Sequence, residues 1–319
     1  MILAAKDKRL GEGGLQTKGI YKKFYPDKPL VSIVTVVYNG EEFIDEAITS
    51  VINQDYDNIE YILIDGGSKD NTVDIIKKYE DQIDYWISEP DKGQSDAFIK
   101  AFKICRGEWL TWLNGDDLLL PGAISKLIHA AQRYPFVECF TGNVIWTTAD
   151  NKIVQCRKGE AWNNLLPKLG LLNVYGPTTF FKRSLYERVE GINKDLHYKM
   201  DTDLWWQFYR AGAKFKRLKK YTWTLRLHEN AKMSGHNFEN SIQSDLSHPS
   251  WEIKRKEKEY FERKYNIESR SFALILGKII LIFNRFFSWQ YLKSLFHSKR
   301  YIGMELKIFY LEVIMCSNK

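Results

Sequence analysis

Between Leu30 and Leu113 short apolar runs alternate with stretches whose apolar residues recur at helical spacing, and few folds accept that alternation. Leu30–Val37 is β-branched and nearly continuous, which suits a parallel strand buried on both faces. Ile59–Ile64, residues 83–88 and Trp109–Leu113 read as three more strands. Between them, Glu41–Asn53 carries Phe43, Ile44, Ala47, Ile48, Val51 and Ile52 at helical intervals. Val73–Tyr79 and Gln94–Cys105 read as further helices. Strands joined through helices imply an α/β fold: an open, mostly parallel sheet with right-handed crossovers. Such sheets bind ligands beyond the carboxyl ends of their strands.

The expected strand ends carry polar turns. Tyr38-Asn39-Gly40 follows the first, and Asp65-Gly66-Gly67-Ser68-Lys69-Asp70-Asn71-Thr72 follows the second. The strand from Trp109 stops at Asn114-Gly115, and Asp116 and Asp117 come next. Two adjacent carboxylates raise each other's pKa unless a cation lies between them, and hard divalent ions suit such oxygen ligands. Taken alone, the pair reads as a solvated acidic turn before a helix starting near Pro121. Asp65 alone reads as turn chemistry, since Asp-Gly is a favoured turn pair. It is the arrival of both at one sheet edge that suggests a nucleotide-sugar site.

Farther on, Phe136–Trp146 and Lys152–Cys156 read as strands, and Gly176–Arg183 as a turn into a short strand. Ser184–Val189 begins a helix closed by Gly191. Asp201 falls at the start of a helix that continues through residues 204–211 to Gly212. Lys214–Tyr221 is basic and suggests an edge strand; a polar segment runs on to about residue 250.

Composition narrows the partners. The 319 residues carry a net charge of +7, but residues 1–250 hold 33 basic and 33 acidic side chains. The excess lies in Trp251–Lys319, with 14 Lys and Arg against 7 Asp and Glu. A nucleic-acid binder would spread its basic charge differently. Cys105, Cys139, Cys156 and Cys316 have neither metal-ligand nor disulfide spacing, which fits reduced thiols in the cytoplasm. The start lacks the long apolar core of a signal peptide.

Five motifs in order, across residues 30–230, resemble the family 2 glycosyltransferases. They are Val31–Gly40, Asp65–Thr72, Asp91–Ala97 (Asp-Lys-Gly-Gln-Ser-Asp-Ala), Trp112–Asp117 and Met200–Trp205. The resemblance implies the GT-A nucleotide-sugar-binding fold and inverting transfer from a donor, usually UDP-linked, to a hydroxyl of a glycan or lipid-linked acceptor. It implies that Val37 and Tyr38 border the base pocket and Asp65 contacts the base. Asp96 and Asn114 fall at donor-binding positions. Asp116 and Asp117 match the Asp-x-Asp-type site for ribose and a divalent metal, Mn or Mg, with His228 as a further candidate ligand. Asp201 matches the general base. Met200 stands where many members have Glu, Asn114 where many have Asp, and Asp91–Ala97 lacks the Ala-Arg-Asn ending of many relatives.

The expected organisation is a leader over residues 1–29, a catalytic domain over 30–235 and a helical extension over 236–319. Phe272–Phe287 is the most apolar stretch, shorter than the roughly 20 residues a membrane-spanning helix needs. A helix places Lys278 and Arg285 on one stripe, so residues 270–300 suit peripheral contact with the inner face of an anionic membrane, or packing on the domain or on a second subunit. Two other functions compete. A sugar nucleotidyltransferase would want a Gly-rich phosphate loop near the start, but Gly11–Gly14 precedes the first strand with no evident helix behind it. A non-catalytic glycan-binding relative need not keep Asp116, Asp117 and Asp201.

Overall fold

The computed structural model describes residues 3, 9–158, 165–172, 174, 176, 179–232, 250–267, 272–287 and 299–309. In chain order, β1 (Gly11–Gly13) precedes β2 (Val31–Val37), α1 (Ile44–Ile52), β3 (Ile59–Asp65), α2 (Thr72–Lys77) and β4 (Tyr85–Ser88). Next come α3 (Gln94–Ile104), β5 (Trp109–Asn114), β6 (Leu118–Leu119), α4 (Ala123–Arg133), β7 (Cys139–Thr148) and β8 (Ile153–Arg157). α5 (Leu165–Lys168), β9 (Thr179–Lys182), α6 (Arg183–Glu187), α7 (Met200–Arg210) and β10 (Phe215–Leu227) complete the central part. The C-terminal helices are α8 (Ser250–Tyr265), α9 (Phe272–Phe287) and α10 (Leu306–Phe309).

One ten-stranded sheet runs β1-β4-β3-β2-β5-β9-β7-β10-β6, with β8 also paired to β7. The strands expected from alternation, β2 to β5, are mutually parallel. Side chains of β2 leave on both sides. Val31 and Ile33 enter one buried layer with Ile44, Ile48 and Leu127, while Val34 and Val36 enter the other with Phe98 and Leu204. The strand is therefore covered by helices on both faces, which its unbroken β-branched run requires.

Within residues 1–29, β1 joins the sheet: it pairs antiparallel with β4 through Gly11↔Ser88 and Gly13↔Trp86. A Cβ at Gly13 would lie 2.6 Å from Trp86 Nε1, so the indole takes the space a side chain would fill. The sheet is mostly parallel at its centre, as expected, and β9 is antiparallel to both β5 and β7. Phe215–Tyr221, within the expected edge strand, is the first part of β10 and pairs with β7; β6 pairs with β10 at Trp223 and Thr224, and the strand runs on to Leu227. Its register slips between Arg217 and Trp223, so Lys219 and Lys220 stay exposed while Thr222 to Thr224 are buried.

The C-terminal helices pack on the domain. Phe261 and Tyr265 of α8 close on Trp206 of α7, and Tyr301, Leu306 and Phe309 close on Tyr221, Ile145 and Ile153. In α9, Gly277 faces Leu169 and Leu171, where an added Cβ would come within 3.0 Å of both side chains.

Candidate active site

A cavity of about 1130 Å³ opens at the carboxyl edge of β2, β3 and β5 and continues under α7 and the end of β10. On one side the wall is mostly backbone turns. Asn39 adopts φ 48°, its N–H donates to Ser68 Oγ at 2.7 Å, and its Oδ1 accepts from Lys69 N–H at 2.9 Å. Gly40 N–H donates to Thr72 Oγ1 at 2.8 Å, which laces the first loop to the second. Val37, Tyr38, Gly66, Gly67, Asp91 and Gln94 line this side. Gly115 must be small, because a Cβ there would lie 2.9 Å from Val37 Cβ, where two strand ends converge.

Asp65 is not among the lining residues. It is fully buried, and Oδ2 accepts from Gly67 N–H (3.0 Å), Ser68 N–H (3.0 Å) and Ser88 Oγ (2.6 Å), while Oδ1 accepts from Ser68 Oγ. Its work is to hold the Gly66–Ser68 turn, where Gly67 takes φ 85°. Asp91 is the carboxylate on the cavity wall nearest this turn; one oxygen accepts from Gly93 N–H at 2.8 Å, and burial raises its pKa. Asp96 is absent from the wall as well. It accepts from Lys92 N–H at 3.2 Å and lies 3.3 Å from Lys100 Nζ.

The two neighbouring acids differ sharply. Asp117 is buried, with Oδ1 accepting from Arg226 N–H (2.9 Å) and Oδ2 from Asn114 Nδ2 (3.0 Å). Burial, reinforced by the charge of Asp116, pushes its pKa well above the usual carboxylate range. Asp116 instead meets His228 Nε2 at 3.1 Å, and both border the cavity. The His228 ring leans on Phe43 at 4.6 Å between centroids, which fixes its aim. Carboxylate oxygen and imidazole nitrogen are a fitting pair for Mn²⁺. Among the described residues no group of three or more His, Cys, Asp and Glu side chains could hold a metal ion. A metal here would have Asp116 and His228 as protein ligands, with donor oxygens or water supplying the rest.

Asp201 opens α7 and lines the same cavity as Asp116. Oδ1 accepts from Thr202 N–H at 2.6 Å and Thr202 Oγ1 at 3.2 Å. Oδ2 makes no hydrogen bond among the described residues and borders Gly176, where a Cβ would come within 3.3 Å. Burial raises its pKa; the Thr202 bonds oppose the rise. What carries α7 to the strand ends is aromatic packing. Trp205 stacks on Trp112 of β5 with ring centroids 5.2 Å apart and planes 2° from parallel, and Phe181 meets both edges-on.

Residues not expected from sequence join the halves. Asn114 Oδ1 accepts from Gln94 Nε2 (3.1 Å), Gln94 Oε1 accepts from Lys232 Nζ (2.8 Å), and Lys232 also donates to the His197 carbonyl. Gln94 lies inside the Asp91–Ala97 motif but has no role assigned there, and Lys232 lies outside every motif.

Comparisons with known proteins agree with this geometry. Residues 32–189 match the model of glycosyl transferase family 2. A Rickettsia typhi protein described as an uncharacterized glycosyltransferase is 31% identical over 196 residues, 58% of this chain and 60% of its own length. The chain thus spans less than two thirds of that relative. S. aureus TarS 1-349, solved with UDP-GlcNAc, superimposes with a TM-score of 0.54 at 18% identity, covering 65% of this chain and 61% of that one. The mannosyltransferase PcManGT of Pyrobaculum calidifontis, solved with GDP-Man and Mn²⁺, gives 0.50 at 16% identity over 64% and 59%. These two likenesses establish the GT-A-type fold. Through residues 32–189, the chain belongs to glycosyl transferase family 2.

Proposed function

We propose that the protein transfers a sugar, with inversion, from a nucleotide-sugar donor to a hydroxyl of a glycan or lipid-linked acceptor, with Asp201 as general base. The observation that carries this reading is the shared cavity: Asp201 Oδ2 borders it from α7, and the Asp116–His228 pair borders it from the strand ends. A sugar hydroxyl is a weak nucleophile. A carboxylate within hydrogen-bond reach takes its proton as the oxygen bonds to the anomeric carbon. The bond from that carbon to the diphosphate breaks on the opposite face, so one displacement inverts the centre. A pKa raised by burial makes Asp201 a stronger base than an exposed Asp.

The donor's base would lie against Val37, Tyr38 and the Gly66–Gly67 turn that Asp65 braces, with Asp91 as the polar contact. The base is taken as uracil, the nucleotide of the TarS complex. Asp116 and His228 would hold a divalent ion, and Asp117 would keep Asn114 and the Arg226 backbone in place beside them. Bound there, the ion would neutralise charge on the departing diphosphate.

Helix α9 exposes Phe272, Ile275, Leu276, Ile279 and Ile282 on one face, with Lys278 beside them. No helix among the described residues is long and apolar enough to cross a membrane. That face suits shallow contact with an anionic bilayer, which would bring a lipid-linked acceptor near. Arg285 is in the same helix, but its side chain lies outside the described residues, as do residues 288–298.

A panel of nucleotide sugars, assayed with and without Mn²⁺ for nucleotide release, tests the reading. A donor turned over in a metal-dependent way, with turnover lost in Asp201→Asn, is the expected result. If no donor binds, or Asp201→Asn matches the wild type, the reading is wrong.

A further inference from the structure

Helix α8 lies outside the family-matched residues, yet it grips α7 on both sides of Asp201. Glu257 is 5% exposed and reaches the segment that leads into α7. One of its oxygens accepts from the His197 N–H, and the other from the N–H groups of Tyr198 (2.9 Å) and Lys199 (2.9 Å). These are three successive backbone donors immediately before the helix that carries Asp201. On the other side of Asp201, fully buried Asp203 accepts from Tyr265 Oη at 2.8 Å and from Gln207 Nε2 at 2.7 Å, and lies 3.2 Å from Lys264 Nζ. Trp206, Phe261 and Tyr265 pack between these two polar anchors.

The backbone at His197 is held twice. Glu257 takes its N–H, and Lys232 takes its carbonyl. Through Lys232, Gln94 and Asn114 the hydrogen-bond chain continues to Asp117. His197 and Tyr198 are themselves cavity walls next to Asp201. A buried carboxylate satisfied by three N–H groups fixes all three at once, and it favours the positive end of the helix dipole.

We propose that Glu257 is a positioning residue for transfer. By fixing residues 197–199 it sets where Asp201 and the acceptor-side wall stand. The link to chemistry rests on Asp201 being the base; the clamp itself does not. A side chain there only to fill space would be replaced well by Gln, which has the same shape. A clamp would not, because the Gln amide presents N–H groups to backbone donors. Asp retains both oxygens on a shorter stem.

The experiment compares Glu257→Gln and Glu257→Asp with the wild type by amide hydrogen exchange, with UDP plus Mn²⁺ as the binding probe and UDP release from UDP-sugars as the rate. Amides 197–203 are expected to exchange about ten times faster or more in Glu257→Gln, with sheet amides unchanged and UDP affinity kept. Turnover falls about ten- to a hundredfold in kcat, and Glu257→Asp recovers part of both effects. Wild-type exchange at 197–203 in Glu257→Gln overturns the clamp, whatever Asp201 does. Faster exchange with wild-type turnover overturns the positioning role. Uniformly faster exchange across the sheet, with UDP binding lost, would make Glu257 a general stability residue and overturn the proposal too. Full activity in Asp201→Asn would defeat the base reading by itself, leaving the exchange result to judge the clamp.

Discussion

The proposed donor side and the proposed acceptor side of the cavity are built by different means. On the donor side, the turns after β2 and β3 are laced by Asn39, Ser68 and Thr72, within 35 residues of sequence. On the proposed acceptor side, Asp201 and Lys232 reach the cavity through the Trp205–Trp112 stack and through the bond of Lys232 to Gln94, 138 residues away. A site of the first kind needs only a sheet and its tight turns. One of the second kind depends on packing that a single lost ring can undo.

The largest expected difference is chemical. Asp201→Asn should lower turnover by about 10²–10⁴-fold while UDP affinity stays near wild type, measured by steady-state kinetics and calorimetry. Equal loss of both would mean that the two sides are not separable. Next, Trp205→Ala removes the stack on Trp112 and should destabilise the fold by about 3–5 kcal/mol, read from denaturant unfolding. The acceptor side depends on that ring, so activity should fail at denaturant concentrations that still leave the sheet folded.

The neighbouring acids give a finer test. Asp117→Ala leaves the Arg226 N–H and the Asn114 amide without their acceptor and should cost about 1–3 kcal/mol. Asp116→Ala should leave stability nearly unchanged and weaken the Mn²⁺ dependence of donor turnover. Reversal of those two outcomes would exchange the roles assigned to them. The smallest effect is in pH. The proposed base must be ionised, and burial raises the pKa of Asp201, so kcat should fall as pH drops through an acid limb above the ordinary Asp value. An acid limb at the ordinary value would mean that Asp201 is solvated during catalysis.

Much of this could be read before the fold was known. The β-branched runs of β2 and β3 and the helical spacing of α1 and α3 are local signals, and each element formed within a few residues of its expected ends. The Asn114–Asp117 turn was legible for the same reason, since strand end and acids are contiguous. The part played by each acid was not. Asp65 alone reads as turn chemistry and gains a base contact only from the resemblance; in the structure four neighbouring amide and hydroxyl groups bond to it. Only the first half of β10 is legible, as a basic, partly exposed strand; past the register slip between Arg217 and Trp223 the strand is more buried.

Sequence alone determined the alternating layers, the parallel centre of the sheet and the presence of acids at strand ends, because period and turn chemistry act over a few residues. Tertiary structure decided which acids keep a free oxygen. Asp116 and Asp117 are adjacent and chemically identical, and they part only because Arg226 and Asn114 satisfy one while His228 meets the other. Arg226 and His228 lie over 100 residues from the acids they meet, so they leave no trace in local pattern, and they set the two carboxylates apart.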